Sequence, residues 1–307
     1  MNTSSSISDN NVVAPVKKRG TSVYQIVTDR IVAMLAQGVV PWERPWIAGT
    51  CAPRNRESGK EYRGVNRLLL PKPGEYMTAN QVRAANGSLR DGAKPIQVTF
   101  FSFVDEKKKK AADDDADEMP RKDHKYPLLR YYNVYHLDDV DGVASKLDLE
   151  SETGRLLSSD DQAEAVIREY LARTGVRLVH QPGYHASYNA ATDTITMPER
   201  KQFSNTESYY SVLFHELIHS TGSACAERIP RKVQAAAYDA EDFSREQLAA
   251  EIGSCMLLSH CDLDSLKVVR NSAGRIAGWL AALQADSRLV VSAASDAEKA
   301  VAFVLGE

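Results

Sequence analysis

The pentapeptide His-Glu-Leu-Ile-His at 215–219 constrains this chain more than any other segment. Its flanks are compatible with a helix, because apolar residues surround it and no proline intervenes. Positions i and i+4 of a helix share one face, so His215 and His219 can both bind one metal ion. Glu216 lies beside them, where its carboxylate can take a proton from metal-bound water. The alternative is a buried helix that has this histidine spacing by chance.

A site of this kind needs a third protein ligand, which zincins take from a later element. Residues 244–259 predict a second helix, with Ser244 as N-cap and Gln247 as its capping-box partner. Glu251 lies beside the apolar stripe of this helix, where a carboxylate without a partner is costly. We therefore predict Glu251 as the third ligand. Glu246 is the alternative, although the helix dipole favours a carboxylate in the first turn anyway.

Length and composition limit the class of protein. A chain of 307 residues that is 43% hydrophobic suits two domains, each with its own core. No stretch reaches the roughly 20 apolar residues of a membrane span, and the first 16 residues lack the apolar core of a signal peptide. The four cysteines form no CxxC pair. These features predict a cytoplasmic protein with no membrane partner.

The net charge of −3 hides an uneven distribution. Residues 17–104 contain 14 Lys/Arg against 6 Asp/Glu, so the rest of the chain is acidic. This division favours a polyanionic partner for the N-terminal part. A basic surface that only contacts solvent would give the same balance.

The segment 54–67 mixes arginine and lysine with tyrosine, amide side chains and glycine, and two tryptophans precede it. Binding of single-stranded DNA needs this mixture, because cations follow the phosphates and flat rings stack on unpaired bases. The predicted DNA contacts are Lys60, Tyr62, Arg63, Arg67, Trp42 and Trp46. The alternative is that the tryptophans are core residues and the tyrosine packs on a sheet.

The pattern of elements predicts an α+β fold in two domains. In the first, we expect a helix over 22–38 and a pair of strands over 95–104 and 128–137. In the second, we expect a helix over 160–174 and short strands before residue 198, with a turn at 189–193. The histidine helix follows, with further helices at 244–259, 264–284 and 294–305.

Composition also predicts the domain boundaries. We expect a disordered tail at 1–19, a DNA-binding domain at 20–141, a linker at 142–160 and the domain of the metal site at 161–307. Four lysines followed by five acidic residues predict a disordered loop at about 106–123.

The order of these motifs resembles that of ArdC-type plasmid antirestriction proteins, which are related to the N-terminal region of the TraC primase. The N-terminal resemblance lies in Tyr24-Gln25-Ile26-Val27, Pro41-Trp42, Pro45-Trp46 and the segment 58–66. The C-terminal resemblance lies in 193–198, Tyr209-Tyr210, 215–222 and 245–253. The family often has Trp where Ser220 stands and a second Glu where Gln247 stands. An amide is hardly a zinc ligand, so the latter departure again favours Glu251.

The resemblance implies a protein that binds single-stranded DNA, protects incoming plasmid DNA from host restriction and carries a zincin metallopeptidase-like domain. It implies Zn²⁺ or another divalent cation, and a host restriction enzyme or another host protein as substrate. The alternative is a non-catalytic protein that binds single-stranded DNA and whose metal site is only structural. Peptidase chemistry also needs an oxyanion donor. The sequence leaves His185, Tyr209, Tyr210 and Tyr238 open for that role.

Overall fold

The computed structural model describes residues 22–43, 52–105, 125–147, 158–183, 185–222, 228–229, 244–265, 268 and 272–307. Both halves of the chain contain helices and strands, which confirms the predicted α+β class. Within these residues, no helix is both long and apolar enough to cross a membrane.

The N-terminal half is a four-stranded sheet with helices at its sides. Its elements are α1 (Val23–Ala36), β1 (Arg54–Asn55), α2 (Val65–Leu69), β2 (Glu75–Met77), α3 (Ala79–Ala84), β3 (Ser88–Leu89), β4 (Ile96–Asp105), β5 (Lys125–His136) and β6 (Val140–Asp141). The main sheet has the strand order β1-β2-β5-β4, and β3 pairs with β6 separately. The predicted helix near the start and the predicted pair of long strands are confirmed.

Strands β4 and β5 form an antiparallel ladder that runs from Ile96 opposite Val134 to Asp105 opposite Lys125. Strand β4 is at the edge of the sheet, where backbone groups need other partners. Asn66 of α2 supplies them, since its side chain bonds both the N–H and the C=O of Thr99. Helix α2 therefore covers part of this edge.

The C-terminal half is a small sheet beside a helical bundle. Its elements are α4 (Ser159–Thr174), β7 (Arg177–His180), β8 (Ser187–Asn189), β9 (Thr194–Met197), α5 (Thr206–Ser220), α6 (Arg245–His260), α7 (Ser272–Ala285) and α8 (Leu289–Leu305). Strand β9 lies in the middle, parallel to β7 and antiparallel to β8. The predicted turn between β8 and β9 is confirmed.

Helices α5 and α6 form the centre of the C-terminal half. Most of their residues are buried, on all sides of each helix, as expected for helices enclosed by other elements. They approach closely where Gly253 of α6 faces Ile218 of α5: a Cβ built on Gly253 would lie 2.8 Å from two atoms of that isoleucine. The glycine therefore allows the helix that carries the histidines to pack tightly on the next one.

The two halves share part of one core. Val27, Ile31 and Leu35 of α1 belong to the same buried cluster as the helices of the C-terminal half. Trp42 packs edge to face on Trp279 of α7, with ring centroids 6.3 Å apart. The sheet thus has two small clusters of its own, whereas α1 packs with the C-terminal helices.

Replacing Gly253 by alanine is expected to destabilise the protein by about 1–3 kcal/mol, because the new methyl group must displace the buried Ile218. Urea unfolding followed by circular dichroism measures the change. Gly274→Ala is the matched control: this glycine is exposed in α7 and its added Cβ meets no atom within 4 Å. The control should be neutral or slightly stabilising. Equal effects of the two substitutions would contradict the close approach of α5 and α6.

Candidate metal centre and nucleic-acid interface

Helix α5 brings the two predicted histidine ligands together. Asn205 is the N-cap of this helix, and its side chain accepts a hydrogen bond from the N–H of Ser208. His215 and His219 are 1% and 2% exposed, and their Nε2 atoms are 3.1 Å apart. Two nitrogen ligands of a tetrahedral zinc ion would lie roughly 3.3 Å apart. The pair is therefore arranged as ligands of one ion would be.

Glu246 orients one of these rings. Its Oε1 lies 2.8 Å from Nδ1 of His219, on the side of the ring away from His215. A carboxylate in this position accepts the Nδ1 proton and leaves the Nε2 lone pair free to bind a metal, as carboxylates commonly do behind zinc-binding histidines. This geometry gives Glu246, the alternative third ligand, an orienting role.

Gln247 faces the other histidine. Its Oε1 lies 3.0 Å from Nε2 of His215. The prediction that Gln247 completes a capping box is half correct: Ser244 accepts a hydrogen bond from the backbone N–H of Gln247, but the Gln247 side chain is directed at the histidine instead. Gln247, which the sequence pattern places in a helix cap, thus has its side chain at the histidine pair.

Glu251, the predicted third ligand, has another partner among the described residues, and its role as a ligand stays a prediction. Its carboxylate is buried against the guanidinium of Arg275 in α7. Among the described residues, no three His, Cys, Asp or Glu side chains form a group that could hold a metal ion. A buried carboxylate needs a partner, and Arg275 is the partner that the structure gives Glu251.

Glu216, the predicted proton acceptor, is fully buried in α5 with the histidines. The tyrosines considered as oxyanion donors have other partners: the hydroxyl of Tyr210 donates to Glu164 and that of Tyr209 lies 3.0 Å from His180 Nε2. Burial, and then the Glu164 carboxylate, raise the pKa of Tyr210 above its ordinary value. His185 is exposed, and Tyr238 lies outside the described residues.

Two of the predicted DNA contacts are buried, although the sequence pattern places them at a DNA surface. Trp42 is 1% exposed and packs on Trp279, so neither face of its ring is open to a base. Arg67 is buried and pairs with Glu61 at 3.0 Å and Glu298 at 3.3 Å, so its charge is already neutralised. Trp46 lies outside the described residues.

The other predicted contacts lie nearer the surface. Lys60 is exposed, and the side chain of Arg63 is 82% exposed at 4.0 Å from Glu298. Tyr62 is half-buried and packs edge to face on Tyr76. The two cations remain accessible to phosphate, whereas the tyrosine mainly packs on the sheet.

Strands β4 and β5 carry an aromatic surface that was not among the predicted DNA contacts. Phe100 is 56% exposed and Tyr132 is 39% exposed, with ring centroids 6.2 Å apart. Arg130 is directly opposite Phe100 in the ladder, so all three side chains project from one face of the hairpin. We call Phe100, Arg130 and Tyr132 the aromatic face. The alternation of side chains along the two predicted strands indicates which of them share a face. It does not show which face remains exposed.

Two family models match this chain. Residues 21–135 match the N-terminal domain of the anti-restriction factor ArdC, and residues 162–296 match a zincin-like metallopeptidase domain. The sequence is 30% identical to that of the antirestriction protein ArdC from plasmid R388 in its metal-free crystal structure. The match covers 92% of this chain and 96% of that one, with a TM-score of 0.67. The chain belongs to the ArdC family of antirestriction proteins.

This ArdC-family chain is also similar to other proteins. The Mn(II)-bound structure of the R388 protein matches with 29% identity, 93% and 97% coverage and a TM-score of 0.69. Two DNA primases named TraC from Escherichia coli are each 30% identical over 92% and 95% of this chain, which spans only 20% and 28% of their lengths. An uncharacterized protein of Sinorhizobium fredii, y4eC, is 29% identical over 90% of its length.

Proposed function

We propose that this protein binds single-stranded DNA through its N-terminal half and protects incoming plasmid DNA from host restriction. We further propose that its C-terminal half holds a divalent cation, Zn²⁺ or another such ion, in a centre of metallopeptidase type. The observation that carries the DNA-binding proposal is the aromatic face. The ArdC match at residues 21–135 and the primase relatives support the same choice of partner.

The aromatic face continues a buried surface into solvent. On the same face of the ladder, Val98 and Val134 are buried against Tyr76 and Leu70. Next to them on this face, the rings of Phe100 and Tyr132 are exposed, although folding alone does not require large apolar rings in contact with water. Rings that lie open beside an arginine suit unpaired bases, which stack on aromatic side chains while cations contact their phosphates.

Lys60 and Arg63 extend this surface. They flank Tyr62, which packs against the buried cluster that also contains Val98 and Val134. The strand of DNA would thus contact these cations as well as the rings of the aromatic face. Non-specific binding of this kind is expected to weaken as salt concentration rises.

The side chains of α5 and α6 fit a metal centre. His215 and His219 would hold the cation through Nε2, and Glu246 keeps the proton of His219 on Nδ1. The cation, when bound, would act as a Lewis acid and lower the pKa of a coordinated water. Glu216 would accept the proton of the attacking water and pass it to the leaving amine of a host protein substrate, such as a restriction enzyme. The zincin-like match and the manganese-bound relative support this proposal.

One observation favours a second candidate function. Within the described residues, no third His, Cys, Asp or Glu side chain completes the set of three donors that a catalytic zinc site usually has. The centre could therefore stabilise the fold without chemistry, while DNA binding alone provides protection. Glu216 distinguishes the two candidates, because it has a role only in the chemical one.

Replacing Phe100 or Tyr132 by alanine is expected to weaken binding of a single-stranded oligonucleotide by about 5- to 150-fold, since one stacked base contributes about 1–3 kcal/mol. The slope of affinity against salt should stay unchanged. Lys60→Ala and Arg63→Ala should each reduce this slope by about 0.7. Fluorescence anisotropy at several salt concentrations measures both quantities.

Tyr131→Ala is the matched control for the aromatic face. This tyrosine is 44% exposed on the same hairpin, but it lies opposite Thr99 and projects from the other face. Its removal should leave the affinity unchanged. An equal loss for Tyr131→Ala, or no loss for Phe100→Ala and Tyr132→Ala, would show that DNA binds elsewhere.

Glu216→Gln is expected to abolish most protection of an unmodified plasmid that enters restricting cells, while binding of single-stranded DNA stays at the wild-type level. The amide cannot accept the proton of water, although it has nearly the shape of the carboxylate. Glu169→Gln makes the same change on the exposed side of α4 and should protect fully. Full protection by Glu216→Gln, at matched protein levels, would favour the non-catalytic candidate.

A further inference from the structure

The geometry points to Gln247 as the third protein ligand of the metal centre. We propose that this protein binds its cation through two neutral imidazoles and one amide oxygen, with no carboxylate ligand. This inference rests on the proposed metal centre and adds to it the identity and charge of the third donor.

The donor atoms already lie close together. His215 Nε2 is 3.1 Å from His219 Nε2 and 3.0 Å from Gln247 Oε1. Both separations are close to the roughly 3.3 Å between neighbouring ligands of a tetrahedral ion. All three side chains are buried, so water does not compete for these atoms. Helix α6 fixes the third donor, because the cap at Ser244 places Gln247 in the first turn, opposite the histidines of α5.

The rest of the Gln247 side chain supports a ligand role. Its Nε2 is buried and has no hydrogen-bond partner among the residues that the structure describes. Buried amide groups are nearly always fully bonded, because a donor without a partner is costly. A glutamine that only filled space in the core would not explain this arrangement. A ligand role explains the arrangement, because the amide oxygen must face the cation and its direction fixes the position of the amide nitrogen.

The two acids of α6 have different tasks. Glu246 contacts the far nitrogen of His219, and Glu251 is paired with Arg275. The recorded contact of α6 with an Nε2 atom of the pair is that of the Gln247 amide oxygen with His215.

A neutral donor set has consequences for affinity and selectivity. An amide oxygen attracts a divalent cation less strongly than a carboxylate does, because it carries no net charge. Carbonyl-type oxygens suit hard cations such as Mn²⁺ as well as they suit zinc. We therefore expect the wild-type protein to bind zinc weakly. Its preference for zinc over manganese should be small and should come from the two histidines.

The test is the affinity of the full chain for Zn²⁺ and Mn²⁺, measured by competition with a chromophoric chelator. Gln247→Glu should bind zinc about tenfold more tightly or better, and Gln247→Ala about tenfold more weakly, given that even outer partners of metal ligands change affinity by about 10–100-fold. Glu251→Gln should bind zinc like the wild type. Circular dichroism of the metal-free variants establishes that each one is folded.

The outcomes separate this inference from the proposal on which it rests. Wild-type zinc affinity in both Gln247 variants would overturn the role of Gln247 alone, and so would loss of zinc from a folded Glu251→Gln variant. If neither the wild type nor Gln247→Glu binds either cation, the metal centre itself is refuted. If Glu251→Gln does not fold, the tighter binding expected of Gln247→Glu still decides the question.

Discussion

The packing of α5 against α6 is the contact on which the rest of this structure depends. Gly253 lets the two helices approach at Ile218, and most residues of both helices are buried. This approach places the histidines of α5 opposite the first turn of α6, where Glu246 and Gln247 meet them. A slightly larger separation would leave two buried imidazoles without their partners. The geometry of the site is therefore a result of close helix packing.

The N-terminal half depends on the same helical bundle. Helix α1 contributes to the shared core, and Glu298 of α8 bonds both the side chain of Arg67 and the N–H of Gly64. Tryptophan rings from both halves also meet, close to the ion pair of Glu251 and Arg275. The surface that we propose for DNA and the centre that we propose for a metal thus belong to one continuous packed structure. The hairpin of β4 and β5 extends from it and exposes the aromatic face.

The sequence predicted what depends on local spacing. Helix periodicity located the histidine pair, and strand patterns located the β4–β5 hairpin. It failed where a residue's partner is distant in the chain: Arg67 pairs with Glu298, 231 positions away, and the ion pair of Glu251 joins two separate helices. The spacing of Ser244 and Gln247 matches a capping box, so the sequence predicted that the Gln247 side chain bonds the backbone of the cap. The burial of Trp42 likewise follows from a tertiary contact that no local pattern contains.

Anomalous diffraction from crystals soaked in zinc, recorded at the zinc edge, tests the central claim most directly. The account predicts one strong peak between the Nε2 atoms of His215 and His219, with Glu246 behind His219 and outside the coordination sphere. A peak coordinated by Glu251, or no peak at the histidine pair, would contradict it.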